Sequence, residues 1–363
     1  MLVVNAGSSS LKLSLLDGDD DVVEARELAA PGARADADEL RAALASPLGA
    51  ADAVAHRIVH GGERHTCAVR VDARVRAELE ELTALAPLHQ PKSLAALDAV
   101  SGALPNLPAV ACFDTAFHST LPEAARTYAL PDDWRRRWGL RRYGFHGLSH
   151  AWVARRAPEL LGCDPRARIV SCHLGAGASL CAIGDGVSVD TTMGFTPLEG
   201  LVMATRSGSV DPGLLLWLLE HERLSPGELA GALEHRSGLL GLAGSADMRE
   251  VTAAAESGDD RAALALAVYA HRLQGSIAAM AAALGGIDVL VFTGGVAERS
   301  ASVRTGACEG LGFLGVELDA ALNAEADGDR EIGSRSAGVR TLVLAAREDL
   351  EMASQTRSLL NGA

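Results

Sequence analysis

The chain has 363 residues and a net charge of −14, and at roughly 150 residues per domain that length predicts two domains. A hydrophobic fraction of 48% with 22% charged residues excludes a disordered chain and predicts a globular protein with a sizeable core. The acidic balance, with no clustered basic footprint, argues against nucleic acid as the main partner. The densest basic stretch, Arg135–Arg142, reads as a solvated face.

The cations are uneven: 31 are Arg and only two, Lys12 and Lys92, are Lys. A lysine retained in so arginine-rich a chain is a candidate for a role that a guanidinium does not fill. The six cysteines (Cys67, Cys112, Cys163, Cys172, Cys181, Cys308) have neither metal-site nor disulfide spacing and read as reduced thiols of a cytoplasmic protein. No signal peptide is expected, because Met1–Val4 runs straight into a strand and a glycine turn.

In chain order, short apolar runs predict strands at Leu2–Val4, Leu11–Leu16, Ala53–Val59, Ala109–Phe113, Arg168–His173, Ser179–Ile183, Val289–Thr293 and Arg340–Ala345. Helical patterns fall between them at Ala73–Leu85, His150–Leu161, Pro212–Glu222 and Leu264–Leu284. The last contains His271, Arg272 and Gln274, so it is expected to be a buried or interface helix rather than a membrane span. Alternation of strands and helices predicts an α/β protein. Within it, Asn5–Gly18 echoes His173–Gly186 as strand, glycine turn, strand and D-G turn, with Gly7 on Gly175, Asp17 on Asp185 and Gly18 on Gly186. Two similar halves with a ligand cleft between them are the expectation.

Three glycine-rich strand ends suit phosphate chemistry. The first, Asn5-Ala-Gly7-Ser8-Ser9-Ser10-Leu11-Lys12, offers backbone amides, hydroxyls and a point charge without being a Walker loop. The second and third are His173–Ser179 and Thr293–Arg299; each, taken alone, is equally an ordinary structural turn. Arg57 and Asp114 are charges at the ends of apolar strands, and are either site residues or an internal ion pair. His146 lies between Gly144 and Gly147, where its imidazole is able to reach a ligand. His150 lacks the companions of a zinc site and reads as structural. Arg206, in a polar turn before a helix, either points into a cleft or caps its loop.

Taken together, these segments resemble the acetate kinase family. The resemblance is carried in order by V-N-A-G-S-S-S-L-K, H-R-I-V-H-G-G-E, L-A-P-L-H, F-D-T-A-F-H, Y-G-F-H-G-L-S-H, H-L-G-A-G-A-S, M-G-F-T-P-L-E-G, T-R-S-G-S-V-D-P, A-D-M-R, F-T-G-G-V-A-E and R-E-D-L. It implies an actin-like, sugar-kinase-like (ribonuclease H-like) fold of two duplicated α/β domains with an interdomain cleft. Residues 1–145, completed by a C-terminal helix over 348–363, would form one domain, and residues 146–347 the nucleotide-binding one.

It implies reversible transfer of the ATP γ-phosphoryl group to acetate, giving acetyl phosphate and ADP, with Mg²⁺ or Mn²⁺, in a cytoplasmic homodimer that binds neither nucleic acid nor membrane. By resemblance, Asp114, His146 and Arg206 are catalytic, Arg57 binds the carboxylate, and Asn5 and Glu348 hold the metal. The nucleotide would be bound by Lys12, His173, Leu174, Gly175, Ala176, Gly177, Asp247, Met248, Arg249, Gly295, Val296, Ala297, Glu298 and Arg299. Because a carboxylic acid is already ionised at neutral pH, Asp114 is expected to orient Arg57 or the metal shell rather than to abstract a proton.

The chain departs from the family pattern at Ala176 (usually Asn), at Ala297 and Arg299 (usually Gly and Asn), at Gln90 (usually Asn) and in a short stretch between Leu16 and Ala53. The nucleotide-loop departures leave another nucleotide or pyrophosphate open as donor. Propionate or butyrate as acceptor, and a nucleotide-gated binding protein of the actin or chaperone type, are the competing readings.

Overall fold

The structure, a computed structural model, describes residues 1–7, 10–29, 36–87 and 89–362. Ser8 and Ser9 of the first glycine turn and Leu88 of L-A-P-L-H lie outside the described residues.

Two six-stranded sheets carry the fold. The first contains β1 (Leu2–Ala6), β2 (Ser10–Leu16), β3 (Val22–Ala29), β4 (Val54–Ile58), β5 (Val69–Arg70) and β6 (Ala109–Phe113), in the order β3-β2-β1-β4-β6-β5. The second contains β7 (Ile169–Leu174), β8 (Ala178–Gly184), β9 (Val187–Thr191), β10 (Val289–Thr293), β11 (Arg330–Glu331) and β12 (Arg340–Val343), in the order β11-β12-β10-β7-β8-β9. Read from opposite ends, the two orders are one topology. An antiparallel meander (β1-β2-β3; β7-β8-β9) leads into three parallel strands (β1-β4-β6; β7-β10-β12), and a short antiparallel edge strand closes each sheet.

The predicted echo is thus structural, with one correction of register. Ala6 pairs with Leu11 across the first glycine turn, whereas Leu174 pairs with Ala178 across the second, so the second turn is one residue shorter. The D-G matches are not equivalent. Asp185 and Gly186 form a two-residue turn, both with positive φ (51° and 75°), as the right-handed twist of a tight hairpin requires. Asp17 instead opens a longer loop closed by its amide on the Asp21 carbonyl.

The parallel strands are buried on both faces, because helices cover each side. Period-two alternation divides β1: Leu2 and Val4 join one core with Leu40, Ala43, Ala96 and Val100, while Val3 faces Met352 and Ala353 of the C-terminal helix Glu348–Leu360. In the second sheet β7, β8 and β10 are buried almost throughout, and the helix Asp260–Ala283 packs against β8. That helix is the one predicted at Leu264–Leu284. It buries Ala265, Tyr269, Leu273 and Ile277, and its N-terminus is capped by Asp259.

The chain divides into two compact units. Unit 1 comprises Met1–Ser119, Phe145–Trp152 and Arg347–Ala363; unit 2 comprises Thr120–Gly144 and Val153–Ala346. The boundaries therefore depart from the expected break at residue 145. The segment 120–144 is held in unit 2 by hydrogen bonds from the Tyr143 and Gly144 amides to the Gly194 carbonyl. Residues 145–152 belong to unit 1, where the Gly147 amide donates to the Asp114 carbonyl. None of the six cysteines is paired in a disulfide.

Candidate active site

In unit 1 the carboxyl ends of three adjacent parallel strands converge, the position at which open α/β sheets bind ligands. Asn5 is near the end of β1, Arg57 near the end of β4, and Asp114 directly follows β6. Their side chains form one network. Arg57 grips Asp114 from two nitrogens, with Nε at 3.0 Å from Oδ1 and Nη2 at 2.7 Å from Oδ2. Its Nη1 donates to Asn5 Oδ1 at 3.1 Å and lies 3.7 Å from Glu348 Oε2. Asn5 Nδ2 completes the ring by donating to Glu348 Oε2 at 3.1 Å. Of the two readings of Arg57 and Asp114 the internal ion pair is observed, and the pair stands at the strand ends.

Only 2% of Asp114 is exposed, so water does not solvate this charge and Arg57 does so instead. Burial pushes the Asp114 carboxyl up against the pull of Arg57. Burial alone would lower the Arg57 guanidinium, but the Asp114 and Glu348 charges raise it above its ordinary value. The bidentate geometry matches a planar guanidinium to a carboxylate. Arg57 is fixed in orientation, and Asp114 is committed to fixing it.

His146 adjoins this network through the backbone. Gly147 donates to the Asp114 carbonyl at 2.8 Å, and a Cβ there would lie 2.2 Å from that oxygen. Only glycine permits the approach. His146 itself has φ 57°, a left-handed conformation costly for a non-glycine residue, and its carbonyl accepts the His150 amide at the start of the helix Gly147–Leu161. The buried His150 next in that motif is structural in position, with its ring 5.6 Å from that of His118. Lys12 lies opposite Asn5 across the β1–β2 ladder, so both side chains leave the same face of the sheet.

In unit 2 the equivalent strand ends carry the other glycine turns. His173 and Leu174 end β7, and Gly175 closes the turn by donating to the Gly177 carbonyl. Beside it β10 ends at Thr293, registered on His173. Gly294 follows with φ 85°, and a Cβ there would strike the Leu174 backbone at 2.8 Å. Residues Gly295–Arg299 form a short helix, with Gly295 and Arg299 exposed and Val296 half-buried.

Two of the predicted nucleotide residues in this segment are engaged within the fold. Ala297 is fully buried, so this departure from the family pattern presents no side chain to the surface. Glu298 Oε1 accepts from the Gly294 and Ala346 amides, each at 2.9 Å, tying the turn after β10 to the chain leaving β12. Ala176 keeps its carbonyl in use, accepting from the Ala204 amide at 3.2 Å.

Asp247–Arg249 opens a separate helix, Met248–Glu256. Asp247 caps that helix and pairs with Arg249, whose hydrogen bond draws the carboxyl down to about 2, while Met248 is buried. Arg206 is half-buried and donates to the Pro197 carbonyl at 2.7 Å. Burial lowers its guanidinium below the ordinary arginine value, partly offset by Glu234.

Sequence reasoning passed over the residues that brace these groups. Gln90, noted only as a departure, is fully buried; its Oε1 accepts the His60 amide and its Nε2 donates to the carbonyls of His60 and Leu79. Arg304 is 1% exposed and satisfies its guanidinium entirely on neutral oxygens: the carbonyls of Ala297, Glu298 and Asn323 and the Asn323 Oδ1. Arg142 was read as part of a solvated basic face. It is instead half-buried, donating to Thr192, Met193 and Glu199. No spacing rule announces such pairs. The only available signal was that these polar residues sit among apolar neighbours.

Solved structures similar to the whole chain are an acetate kinase from Porphyromonas gingivalis (TM-score 0.90, 38% identity, covering 99% of both chains) and a propionate kinase from Francisella tularensis (TM-score 0.90, 33% identity, 98% of both). Duplicated sheets with charged strand ends and glycine turns are thus those of an α/β phosphotransferase with the sugar-kinase-like fold. The acetate kinase of Gloeobacter violaceus is 48% identical over 305 residues, 83% of this chain and 75% of that one; the acetate kinase of Phocaeicola vulgatus is 43% identical over 362 residues, 97% and 90%. The acetokinase family model matches residues 32–354, and the chain belongs to the acetokinase family.

Proposed function

We propose that the protein transfers the γ-phosphoryl group of ATP reversibly to acetate, giving acetyl phosphate and ADP by direct in-line displacement. The observation that carries this reading is Arg57, a guanidinium locked by Asp114 at the carboxyl ends of three parallel strands. A carboxylate acceptor needs a cation to hold it against the repulsion of a polyphosphate, and it needs no base, since its own pKa is about 4 to 5. Asp114, committed to Arg57, suits a positioning role and not proton abstraction. His146 and Arg206 would stabilise charge on the transferring phosphoryl group. Lys12 would contact phosphate, and the turns at His173–Gly177 and Gly295–Arg299 would receive the nucleotide.

The family implies ATP and ADP as co-substrates and a divalent metal; we assign the metal as Mg²⁺, or Mn²⁺ in its place. Glu348 offers a hard carboxylate donor, and Asn5, whose Nδ2 donates to Glu348 Oε2 and whose Oδ1 accepts from Arg57 Nη1, would offer that Oδ1 beside it. They fit an ion that takes one or two protein ligands and completes its shell with phosphate and water. When bound, the ion neutralises phosphate charge; Asn5 holds Glu348 in place for it. Among the described residues no group of three or more His, Cys, Asp or Glu could hold a metal ion.

The expected homodimer finds support in unit 2. The helix Pro212–Glu220 buries none of its residues and exposes Leu214 (47%), Leu216 (59%) and Trp217 (46%); a second copy would cover that face. No described helix is long and apolar enough to cross a membrane.

Steady-state kinetics with acetate, propionate and butyrate against ATP, GTP and pyrophosphate test the assignment. The highest kcat/KM is expected for acetate with ATP. A higher value for propionate or butyrate would reassign the acceptor, and one for pyrophosphate or GTP the donor. No turnover of any carboxylate would overturn the reading.

A further inference from the structure

The segment Met193–Gly200 (M-G-F-T-P-L-E-G) has no role in the proposed reaction, yet it is among the most heavily braced stretches of unit 2. Glu199 is its centre. Its Oε1 accepts from Arg142 Nη2 at 2.7 Å and its Oε2 accepts from the Tyr128 hydroxyl at 2.6 Å. Tyr128 in turn accepts the Phe195 amide at 2.8 Å, so one hydroxyl joins Glu199 to the loop backbone four residues earlier. Arg142 closes the clasp on the other side through the carbonyls of Thr192 and Met193, with its guanidinium 5.6 Å from the Tyr128 ring centroid. There is no spare room: a Cβ on Gly194 would lie 1.7 Å from Glu199 Oε2 and 2.2 Å from the Tyr128 hydroxyl.

Two things hang from this loop. The Pro197 carbonyl, two residues past Phe195, accepts the Arg206 guanidinium. The Gly194 carbonyl accepts the amides of Tyr143 and Gly144, just ahead of His146 in the chain. The charge on Arg206 and the turn that leads to His146 are therefore set by one loop.

We propose that Tyr128 is a positioning residue for phosphoryl transfer, acting through Glu199 and the 192–197 loop to fix the Arg206 guanidinium. This rests on the proposed role of Arg206. Tyr128 touches no substrate in this account; its hydroxyl is the link whose loss frees the Phe195 amide and one oxygen of Glu199 while leaving the packed ring in place. A cation stabilises a transferring phosphoryl group only when held in register with it, and a misplacement of about 1 Å costs on the order of a hundredfold in rate.

The test is Tyr128→Phe in the full-length protein, assayed by acyl-phosphate formation from acetate and MgATP alongside thermal unfolding. The expected result is a kcat lower by about tenfold to a hundredfold, with both KM values within about twofold of wild type and Tm nearly unchanged. In an Arg206→Ala background the same substitution is expected to add less than its full factor, because the two share one route. A kcat within about twofold of wild type, or losses that multiply fully in the double variant, would overturn the inference and leave the proposed function standing. An inactive wild type would remove both.

Discussion

Arg57 and Asp114 were legible because charge at the end of an apolar strand is expensive unless paired or useful; here it is paired. Their pairing decides what Asp114 does. Asp114→Asn keeps the shape and one acceptor oxygen but loses the ion pair, and hydrogen bonds to charged groups contribute about 1.5–3 kcal/mol each. The acetate KM is expected to rise about tenfold or more, with the shape of the pH–rate profile unchanged. An unchanged KM together with loss of an acidic limb would instead make Asp114 a base. The braces were not legible. Arg304 meets Asn323 19 positions on, and Tyr128 meets Glu199 71 positions on, through pairings that exist only once the helices and loops have packed. Arg142, seven positions after Arg135 in a basic run, lies where the chain turns back onto Gly194.

The strands that build the site were read within a residue or two, since runs such as Ala109–Phe113 and Val289–Thr293 are almost wholly apolar and bounded by proline, aspartate or glycine. The edge strand Val22–Ala29 was missed because most of its residues are exposed and it shows no alternation. The one-residue difference between the two glycine turns was hidden, since the sequence match carries across the turn while the pairing does not. At this scale Gly147 is a strong test. Gly147→Ala must part the helix Gly147–Leu161 from the Asp114 carbonyl, moving His146 and the strand end together. A kcat loss on the order of a hundredfold is expected, and near-normal kinetics would show that the contact is dispensable. Arg304→Met leaves the carbonyls of Ala297, Glu298 and Asn323 without their donor, and unfolding stability is expected to fall by about 3 kcal/mol or more in denaturant titration.

Duplication was visible in the echo of Asn5–Gly18 in His173–Gly186, and the shared strand order of the two sheets bears it out. The placement of 120–144 in unit 2 and of 145–152 in unit 1 was not visible, because it depends on backbone hydrogen bonds to Gly194 and Asp114. The whole chain is also expected to be acid-sensitive in a defined window. His56 and His60 are buried, and burial pushes each down to about 4; among the described residues neither ring nitrogen of His56 has a hydrogen-bond partner. The unfolded chain binds these protons near pH 6.5 and the folded one only near 4. Stability is therefore complete above about pH 6.5 and falls as pH drops toward 4, by up to about 1.4 kcal/mol per unit for each histidine. A Tm that is flat from pH 6.5 to 4 would contradict this.

In the proposed reaction a carboxylate held by Arg57 receives the phosphoryl group. Hydroxylamine trapping measures it directly, because an acyl phosphate yields a hydroxamate and a carboxylate alone does not. With acetate, ATP and Mg²⁺ the wild-type protein is expected to form acetohydroxamate in step with ADP, and Arg57→Ala to lose both. ADP released at the same rate without acetate, and with no hydroxamate, would contradict the account.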